Sequence, residues 1–185
     1  MQLIIAHVTV PNILTVFRLL ISPVIWCLLY IYTPFSSILA TFLFLVASLT
    51  DFLDGYIARV YSMHSSFGKI FDPIADKILV VSIMMMLVHS SVIASIHVFA
   101  VVIIICREIF ISGLREFLLS VGKTRIDVSI LGKIKTTMQI ITISVLMLSI
   151  HCNLFSVLGE VLLWVSAFFA VLSGVHYLTN SLSEL

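Results

Sequence analysis

Charged side chains are scarce in this sequence of 185 residues: Asp, Glu, Lys and Arg together make up 10% of it, whereas 61% is hydrophobic. A soluble globular domain carries about 25% charged residues. Because so few charges cannot cover a water-facing surface, the solvent around most of this chain must be lipid. A helix needs about 20 apolar residues to cross a bilayer, so the length allows about six crossings and little else.

Other scarce features exclude further function classes. The net charge of +1 lacks the basic excess of a nucleic-acid-binding protein. The three cysteines, Cys27, Cys106 and Cys152, stand far apart among apolar residues, and no Cys-x-x-Cys pair suggests zinc or redox chemistry. The stretch up to His7 lacks the positively charged start of a cleaved signal sequence, so we expect a short interfacial segment that the mature protein retains.

Turn-forming residues and polar breaks divide the apolar sequence into six segments of helix length. Thr33-Pro34-Phe35-Ser36 is expected to end the first, because proline cannot continue a helix. We therefore expect an all-α polytopic membrane protein with six transmembrane helices, forming one domain over residues 1–185. The expected spans run from about Ile13 to Tyr32, Ser37 to Val60, Phe67 to Val88, Val92 to Leu119, Val128 to Ile150 and Phe155 to Leu178.

Basic residues lie toward one side of this arrangement. The expected loops near residues 33, 90 and 152 contain no Lys or Arg, and all ten basic residues lie toward the termini and the loops near residues 62 and 123. Basic residues concentrate on the cytoplasmic side of membranes, which predicts that both termini are cytoplasmic. Arg107 lies deep within the fourth span, well before Gly122, so we expect its side chain to face the protein interior.

Four aspartates between residues 51 and 76 form the most informative pattern: Asp51, Asp54, Asp72 and Asp76. A charged side chain inside a bilayer costs about 2.5 kcal/mol or more, so such residues usually face a cavity and serve a function. The spacings of three and four residues put each pair on one helix face. Both pairs lie about two helical turns from the connection near Tyr61, so they can face each other at similar depth.

Four converging carboxylates need positive charge nearby. Two divalent cations would balance them, and ligands that are all oxygen select Mg²⁺ or Mn²⁺. Paired ions of this kind stabilise the attacking and leaving oxygens of a phosphoryl transfer. The alternative is a structural role in which the carboxylates pair with the local bases Arg59, Lys69 and Lys77.

Small residues complete the segment. Its pattern is Asp51-x-x-Asp54-Gly55-x-x-Ala58-Arg59, eight further residues, then Gly68-x-x-x-Asp72-x-x-x-Asp76. This resembles, position for position, the signature of the CDP-alcohol phosphatidyltransferases. Close helix packing is the alternative reason for the small residues.

The resemblance assigns roles to these positions. It implies that all four aspartates bind two divalent cations and that Asp76 is also the candidate catalytic base. It implies further that the CDP-diacylglycerol substrate lies against Gly55, Ala58, Arg59 and Gly68.

A second charged group follows the aspartates. Arg107 and Arg115, eight residues apart, lie on roughly one face of the fourth span, and Lys135 lies near the start of the fifth. Arg and Lys are the natural partners of a phosphate dianion, which a neutral acceptor would not require. Such bases can instead fix the orientation of the helices in the membrane. That alternative role fits Lys123 and Arg125 better than it fits Arg107.

Five blocks of residues extend the pattern over residues 11 to 178. They are Pro11-Asn12-x-Leu14-Thr15-x-x-Arg18, Asp72-Pro73-x-Ala75-Asp76-Lys77, Arg107-Glu108, Leu114-Arg115-Glu116 and Gly132-Lys133-x-Lys135-Thr136-Thr137. The whole pattern is similar to the bacterial branch of this family whose acceptor is sn-glycerol 3-phosphate. The similarity implies transfer of the phosphatidyl group, with release of CMP, by a protein of the bacterial cytoplasmic membrane that is commonly a homodimer. Inositol phosphate or phosphatidylglycerol as acceptor stays open, as does a divalent-cation transporter.

Overall fold

The structure, a computed structural model, describes residues 10–60, 66–121, 130–150 and 153–182. Side chains are described over residues 12–50, 71–121, 130–150 and 154–181. The expected interfacial segment, the turn near Tyr61, and Lys123, Arg125 and Cys152 lie outside these residues.

Six helices and no strand occur among the described residues, which confirms the all-α prediction. Their number and order match the six expected spans. They are α1 (Val10–Ile31), α2 (Pro34–Val60), α3 (Ser66–His89), α4 (His97–Ser120), α5 (Ile130–Ser149) and α6 (Asn153–Leu182).

The start of α2 differs from the expectation. The helix begins at Pro34 rather than at Ser37, so the expected break between α1 and α2 is confined to Tyr32 and Thr33. The Thr33 backbone N–H donates to Ser36 Oγ at 3.0 Å, and the Ser36 backbone N–H donates to Thr33 Oγ1 at 3.1 Å. This reciprocal cap satisfies two backbone donors, and proline is well accommodated at the first helical position, where its missing N–H is not needed.

The start of α4 also lies later than expected, at His97 rather than Val92. Ser91 and Ser95 have φ angles of 58° and 51°, in the left-handed region. The backbone N–H groups of Val92 and Ile93 both donate to the Leu87 carbonyl oxygen at 3.1 Å. A chain that turns in this way cannot continue as a right-handed helix, so α4 begins after the turn.

The chain divides into two compact units, Met1–Met86 and Leu87–Leu185. In the first unit, α1 packs along α2. Side chains of α1 also reach α3, where Trp26 Nε1 donates to Ser82 Oγ at 2.8 Å. The buried core of this unit includes Ile25, Phe44 and Leu79.

In the second unit, α6 packs along both α4 and α5. Ile104, Ile143 and Leu163 are among its fully buried side chains. At Gly159 an added Cβ would lie 2.7 Å from Leu146 Cδ2, closer than van der Waals contact allows. The glycine therefore lets α5 and α6 approach closely, as small residues do between membrane helices.

Large apolar side chains are exposed along the helices, as expected for a surface that faces lipid; Leu20, Phe35, Ile109 and Phe168 are among them. Of the described residues, α2 contributes a shorter apolar stretch, Pro34–Thr50. The helix α3 carries Asp72, Asp76 and Lys77. Four stretches of the described chain are long and apolar enough to cross a membrane, namely Asn12–Ile31, His97–Ser120, Ile130–Ser149 and Leu154–Ser181.

Candidate active site

The four aspartates lie on α2 and α3, and the helix ends place them at matching distances from the connection. Asp54 lies six residues before Val60, the last residue of α2, and Asp72 lies six residues after Ser66, the first residue of α3. At about 1.5 Å per residue, each lies about 9 Å from its helix end. The side chains of six site residues lie outside the described ones, namely Asp51, Asp54, Gly55, Ala58, Arg59 and Gly68.

Asp72 is held by two side chains of α1. Thr15 Oγ1 donates a hydrogen bond to Asp72 Oδ1, and Arg18 Nη2 lies 3.8 Å from the same oxygen. The Arg18 side chain is fully buried, whereas the Asp72 side chain is 37% exposed. Asp76, one turn further along α3, is also partly exposed. Thus α1 orients Asp72 from the interior and leaves its carboxylate accessible to a ligand.

The contribution of α1 is the part of the site that sequence reasoning missed. In the sequence, Thr15 and Arg18 stand out only as members of a family block, and Arg18 also as a basic residue on the predicted cytoplasmic side. Arg18 is the one charged residue between Val10 and Ile31. A charge inside a membrane span needs a partner, so this arginine could have been assigned to the aspartates.

Asp72 and Asp76 fit part of the donor set that divalent cations need. Both offer carboxylate oxygens, the ligands that Mg²⁺ and Mn²⁺ prefer, and both are accessible on one stretch of α3. Among the described side chains, no group of three His, Cys, Asp or Glu residues could hold a metal. The other two expected ligands, Asp51 and Asp54, lie outside those side chains, so the full set is a prediction from spacing.

Arg107 lies in the second unit and is anchored on α6. Its Nε donates to the Ala170 carbonyl oxygen at 3.1 Å and its Nη2 to Ser173 Oγ at 3.0 Å. At Gly174 an added Cβ would lie 3.3 Å from Arg107 Cγ, so the glycine makes room for the arginine stem. The Arg107 side chain is 15% exposed, and it faces the unit's interior as its depth in the span predicted.

Lys135 meets Arg107 at a buried carboxylate, that of Glu108. Lys135 Nζ forms an ion pair with Glu108 Oε1, and Arg107 Nη1 donates to the same oxygen at 3.2 Å. Gln139 Nε2 lies 3.4 Å from it. The sequence predicts that Arg107 and Lys135 belong to one charged group, and both contact Glu108, to which the sequence assigns no role of its own. An acidic residue directly beside an intramembrane arginine could have indicated one.

Arg115, the third predicted base, lies further along the same face of α4. Its guanidinium carbon lies 5.6 Å from the centre of the Tyr177 ring on α6, a cation–π distance. Eight helical residues separate it from Arg107 by about 12 Å along the axis. Both arginines therefore face α6. We use the name basic group for Arg107, Glu108 and Lys135, which are in contact, together with Arg115 further along α4.

Comparisons with known proteins identify the family of this chain. A sequence model of the CDP-alcohol phosphatidyltransferases matches residues 8–172, which include both the aspartates and the basic group. A Rickettsia bellii protein named CDP-diacylglycerol–glycerol-3-phosphate 3-phosphatidyltransferase is 44% identical over 170 residues, 90% of this chain and 92% of the relative.

Two further bacterial proteins of the same name are less similar to this chain. The Haemophilus influenzae protein is 35% identical over 174 residues, 91% of each chain. The Bacillus subtilis protein is 38% identical over 154 residues, 82% of this chain and 78% of the relative. Because the family match spans nearly the whole sequence, the chain belongs to the CDP-alcohol phosphatidyltransferase family.

Proposed function

We propose that the chain transfers the phosphatidyl group of CDP-diacylglycerol to sn-glycerol 3-phosphate, giving phosphatidylglycerophosphate and CMP. The observation that carries this proposal is the basic group of the second unit. Three bases and Glu108 sum to a charge of +2, which matches a phosphate dianion. The shared name of relatives that are 35–44% identical to this chain supports the same acceptor.

Arg107 keeps donors for such a phosphate. A guanidinium carries five N–H groups. Within the described residues, Arg107 makes three hydrogen bonds, to Ala170, Ser173 and Glu108, which leaves two N–H groups for a ligand. A guanidinium that is held through all three of its nitrogens and keeps two N–H groups can bind a phosphate with little loss of conformational freedom.

On the donor side, we assign the carboxylates to two divalent cations, Mg²⁺ or Mn²⁺, held by Asp51, Asp54, Asp72 and Asp76. When bound, these ions would neutralise the diphosphate and stabilise CMP as leaving group. Thr15 and Arg18 keep Asp72 in position for this role. The CDP-diacylglycerol substrate would lie against Gly55, Ala58, Arg59 and Gly68.

The proposed chemistry divides between the two sets of residues. Asp76 accepts the proton of the C1 hydroxyl of glycerol 3-phosphate, and that oxygen attacks the phosphatidyl phosphorus as CMP leaves. Arg107, Arg115 and Lys135 hold the acceptor's phosphate. Positioning and charge stabilisation account for most of the acceleration in such reactions. The aspartates of the first unit are assigned to one substrate and the bases of the second unit to the other. Because the reaction needs both substrates, we propose that residues 1–185 act as a single domain.

We place the protein in the bacterial cytoplasmic membrane with both termini cytoplasmic. The support is the charge bias of the sequence, in which the loops near residues 33, 90 and 152 lack Lys and Arg. A topology reporter fused after Leu185 or near Gly122 should be cytoplasmic, and one near Ser90 should be outside. A cytoplasmic Ser90 would overturn this placement. We also propose a homodimer, by family resemblance, which light scattering of the purified protein would check.

A reaction assay tests the proposed function. Purified protein with CDP-diacylglycerol, glycerol 3-phosphate and Mg²⁺ or Mn²⁺ should release CMP and form phosphatidylglycerophosphate, identified by mass spectrometry. EDTA should stop the reaction, and added metal should restore it. Absence of CMP release under all of these conditions would contradict the enzyme proposal and favour a divalent-cation transporter.

A further inference from the structure

Glu108 is a carboxylate among the bases proposed to bind a phosphate. Its side chain is 9% exposed, and it lies within the stretch His97–Ser120 of α4, which is long and apolar enough to cross a membrane. A negative charge at this place should repel an acceptor phosphate and weaken its binding. A buried charge in a membrane helix is also costly to maintain. Its presence therefore needs a reason that outweighs both effects.

The contacts of Glu108 supply that reason. A single oxygen, Oε1, contacts Arg107 Nη1 from the same helix and Lys135 Nζ from α5. Gln139, one turn beyond Lys135, approaches the same oxygen at 3.4 Å. Arg107 in turn is bonded to Ala170 and Ser173 of α6. One carboxylate thus fixes two cations relative to each other and links the three helices that carry the site.

We propose that Glu108 is a positioning residue of the acceptor-phosphate site: it holds Arg107 and Lys135 where both can bind the phosphate. This inference rests on the proposed function. Without Glu108, two poorly hydrated cations would repel each other. A lysine, with four rotatable bonds, would turn away from the arginine unless it were held. The positioning effect is thus expected to exceed the direct repulsion between Glu108 and the phosphate.

The test uses the full-length protein and compares two acceptors, glycerol 3-phosphate and free glycerol, at saturating CDP-diacylglycerol. The variant Glu108→Gln keeps the shape of the side chain and removes its charge. We expect its KM for glycerol 3-phosphate to rise about tenfold or more, with kcat changed much less, as for a lost ground-state contact. Its KM for CDP-diacylglycerol and its kcat/KM for free glycerol should stay within about twofold of the native values.

Two further variants control the result. Glu160→Gln removes another carboxylate of the second unit, one that is partly exposed and lies 3.6 Å from His97 Nε2, and it should leave all of these constants unchanged. Glu108→Asp retains the charge but shortens the side chain by one methylene group. It should raise the KM for glycerol 3-phosphate about threefold, and it serves as the test if Glu108→Gln does not fold.

Each outcome decides the inference. An unchanged or lowered KM for glycerol 3-phosphate in the Glu108 variants would overturn it, and a lowered KM would identify Glu108 as a purely repulsive charge. An equal loss of kcat/KM with both acceptors would also overturn it, because that result indicates a structural role alone. If the native protein formed no phosphatidylglycerophosphate, the proposed function itself would fail, and this inference would fail with it.

Discussion

Asp72 and Glu108 are two acids on helices of a membrane protein, and their surroundings differ in an informative way. The Asp72 side chain is 37% exposed, and it contacts a hydroxyl and an arginine on one oxygen. The Glu108 side chain is 9% exposed and is enclosed by Arg107, Lys135 and Gln139. An open carboxylate can bind a ligand, whereas an enclosed one is committed to the protein. Exposure and partners, rather than residue type, separate the two roles.

The same contrast appears in the kind of charge that each region carries. The first unit contains the four aspartates, with Arg18 beside Asp72, whereas the basic group of the second unit sums to +2. Like charges that are close together in a membrane protein favour a ligand of opposite sign, because their mutual repulsion is costly in such surroundings. The first region therefore suits metal cations and the second a phosphate dianion. The following changes test that division of roles.

Loss of an aspartate should have the largest effect. Asp72→Asn, like Asp51→Asn and Asp54→Asn, should lower kcat more than about 100-fold, because a bound metal contributes several kcal/mol to catalysis. CMP release by membrane-inserted, purified variants measures this. Glu160→Gln is the matched control and should keep native activity. A folded Asp72→Asn variant with near-normal turnover would contradict the metal assignment.

Loss of an acceptor base should have a smaller effect of a different kind. Arg107→Ala or Arg115→Ala removes a charge-assisted contact worth about 1.5–3 kcal/mol. The KM for glycerol 3-phosphate should therefore rise about tenfold or more, while the KM for CDP-diacylglycerol changes little. Lys123→Ala, at a base whose expected role is to fix the orientation of the helices in the membrane, is the control. A rise confined to the KM for CDP-diacylglycerol would indicate instead that these arginines bind the CDP-diacylglycerol substrate.

Loss of the α1 contact to Asp72 should have a smaller effect than loss of an acceptor base. It should appear in the metal concentration that the enzyme requires. Thr15→Val removes the hydroxyl that donates to Asp72 Oδ1, a hydrogen bond to a charged group. The Mg²⁺ or Mn²⁺ concentration for half-maximal rate should rise about three- to tenfold. Thr41→Val is the matched control, because the Thr41 hydroxyl donates to the Ser37 carbonyl of its own helix at 2.8 Å. An unchanged metal requirement in Thr15→Val would mean that α1 does not contribute to metal binding.

The smallest effect is expected away from both charged regions. Thr33→Ala removes half of the reciprocal cap at the start of α2 and should cost about 1 kcal/mol of stability. A slightly lower Tm in detergent, with native kcat and KM, would agree with this. Ser120→Ala, where an exposed hydroxyl bonds the Phe117 carbonyl of its own helix, should leave the Tm unchanged. A loss of activity in Thr33→Ala would mean that this end of α2 influences the site.

Spacing along single helices carried most of what the sequence could predict. The intervals between the aspartates and the position of Arg107 in its span depend on helical period and depth alone, both of which are written in the sequence. The family resemblance added the roles of these residues. The length of an apolar stretch does not reveal where its helix starts. The start at Pro34 depends on the side-chain cap formed by Thr33 and Ser36, and the start at His97 depends on the positive φ angles of Ser91 and Ser95.

Contacts between helices were the part that the sequence could not supply. Thr15 and Asp72 are separated by 57 positions, and Glu108 and Gln139 by 31. Helical period shows which residues share a face but not which face of another helix they meet. The sequence therefore does not predict that Arg18 pairs with Asp72 or that Lys135 pairs with Glu108. In both cases the clue in the sequence is a basic residue in an apolar helix that contains no acidic residue.

The acceptor preference of the native protein and of Arg107→Ala tests the central claim most directly. The kcat/KM for glycerol 3-phosphate is compared with that for free glycerol, with CDP-diacylglycerol saturating and the products identified. We expect the native protein to prefer glycerol 3-phosphate strongly. We expect a smaller difference between the two kcat/KM values in Arg107→Ala, because the proposed role of the arginine is to bind the phosphate that only glycerol 3-phosphate carries. Native protein that used free glycerol or serine as readily as glycerol 3-phosphate would contradict it.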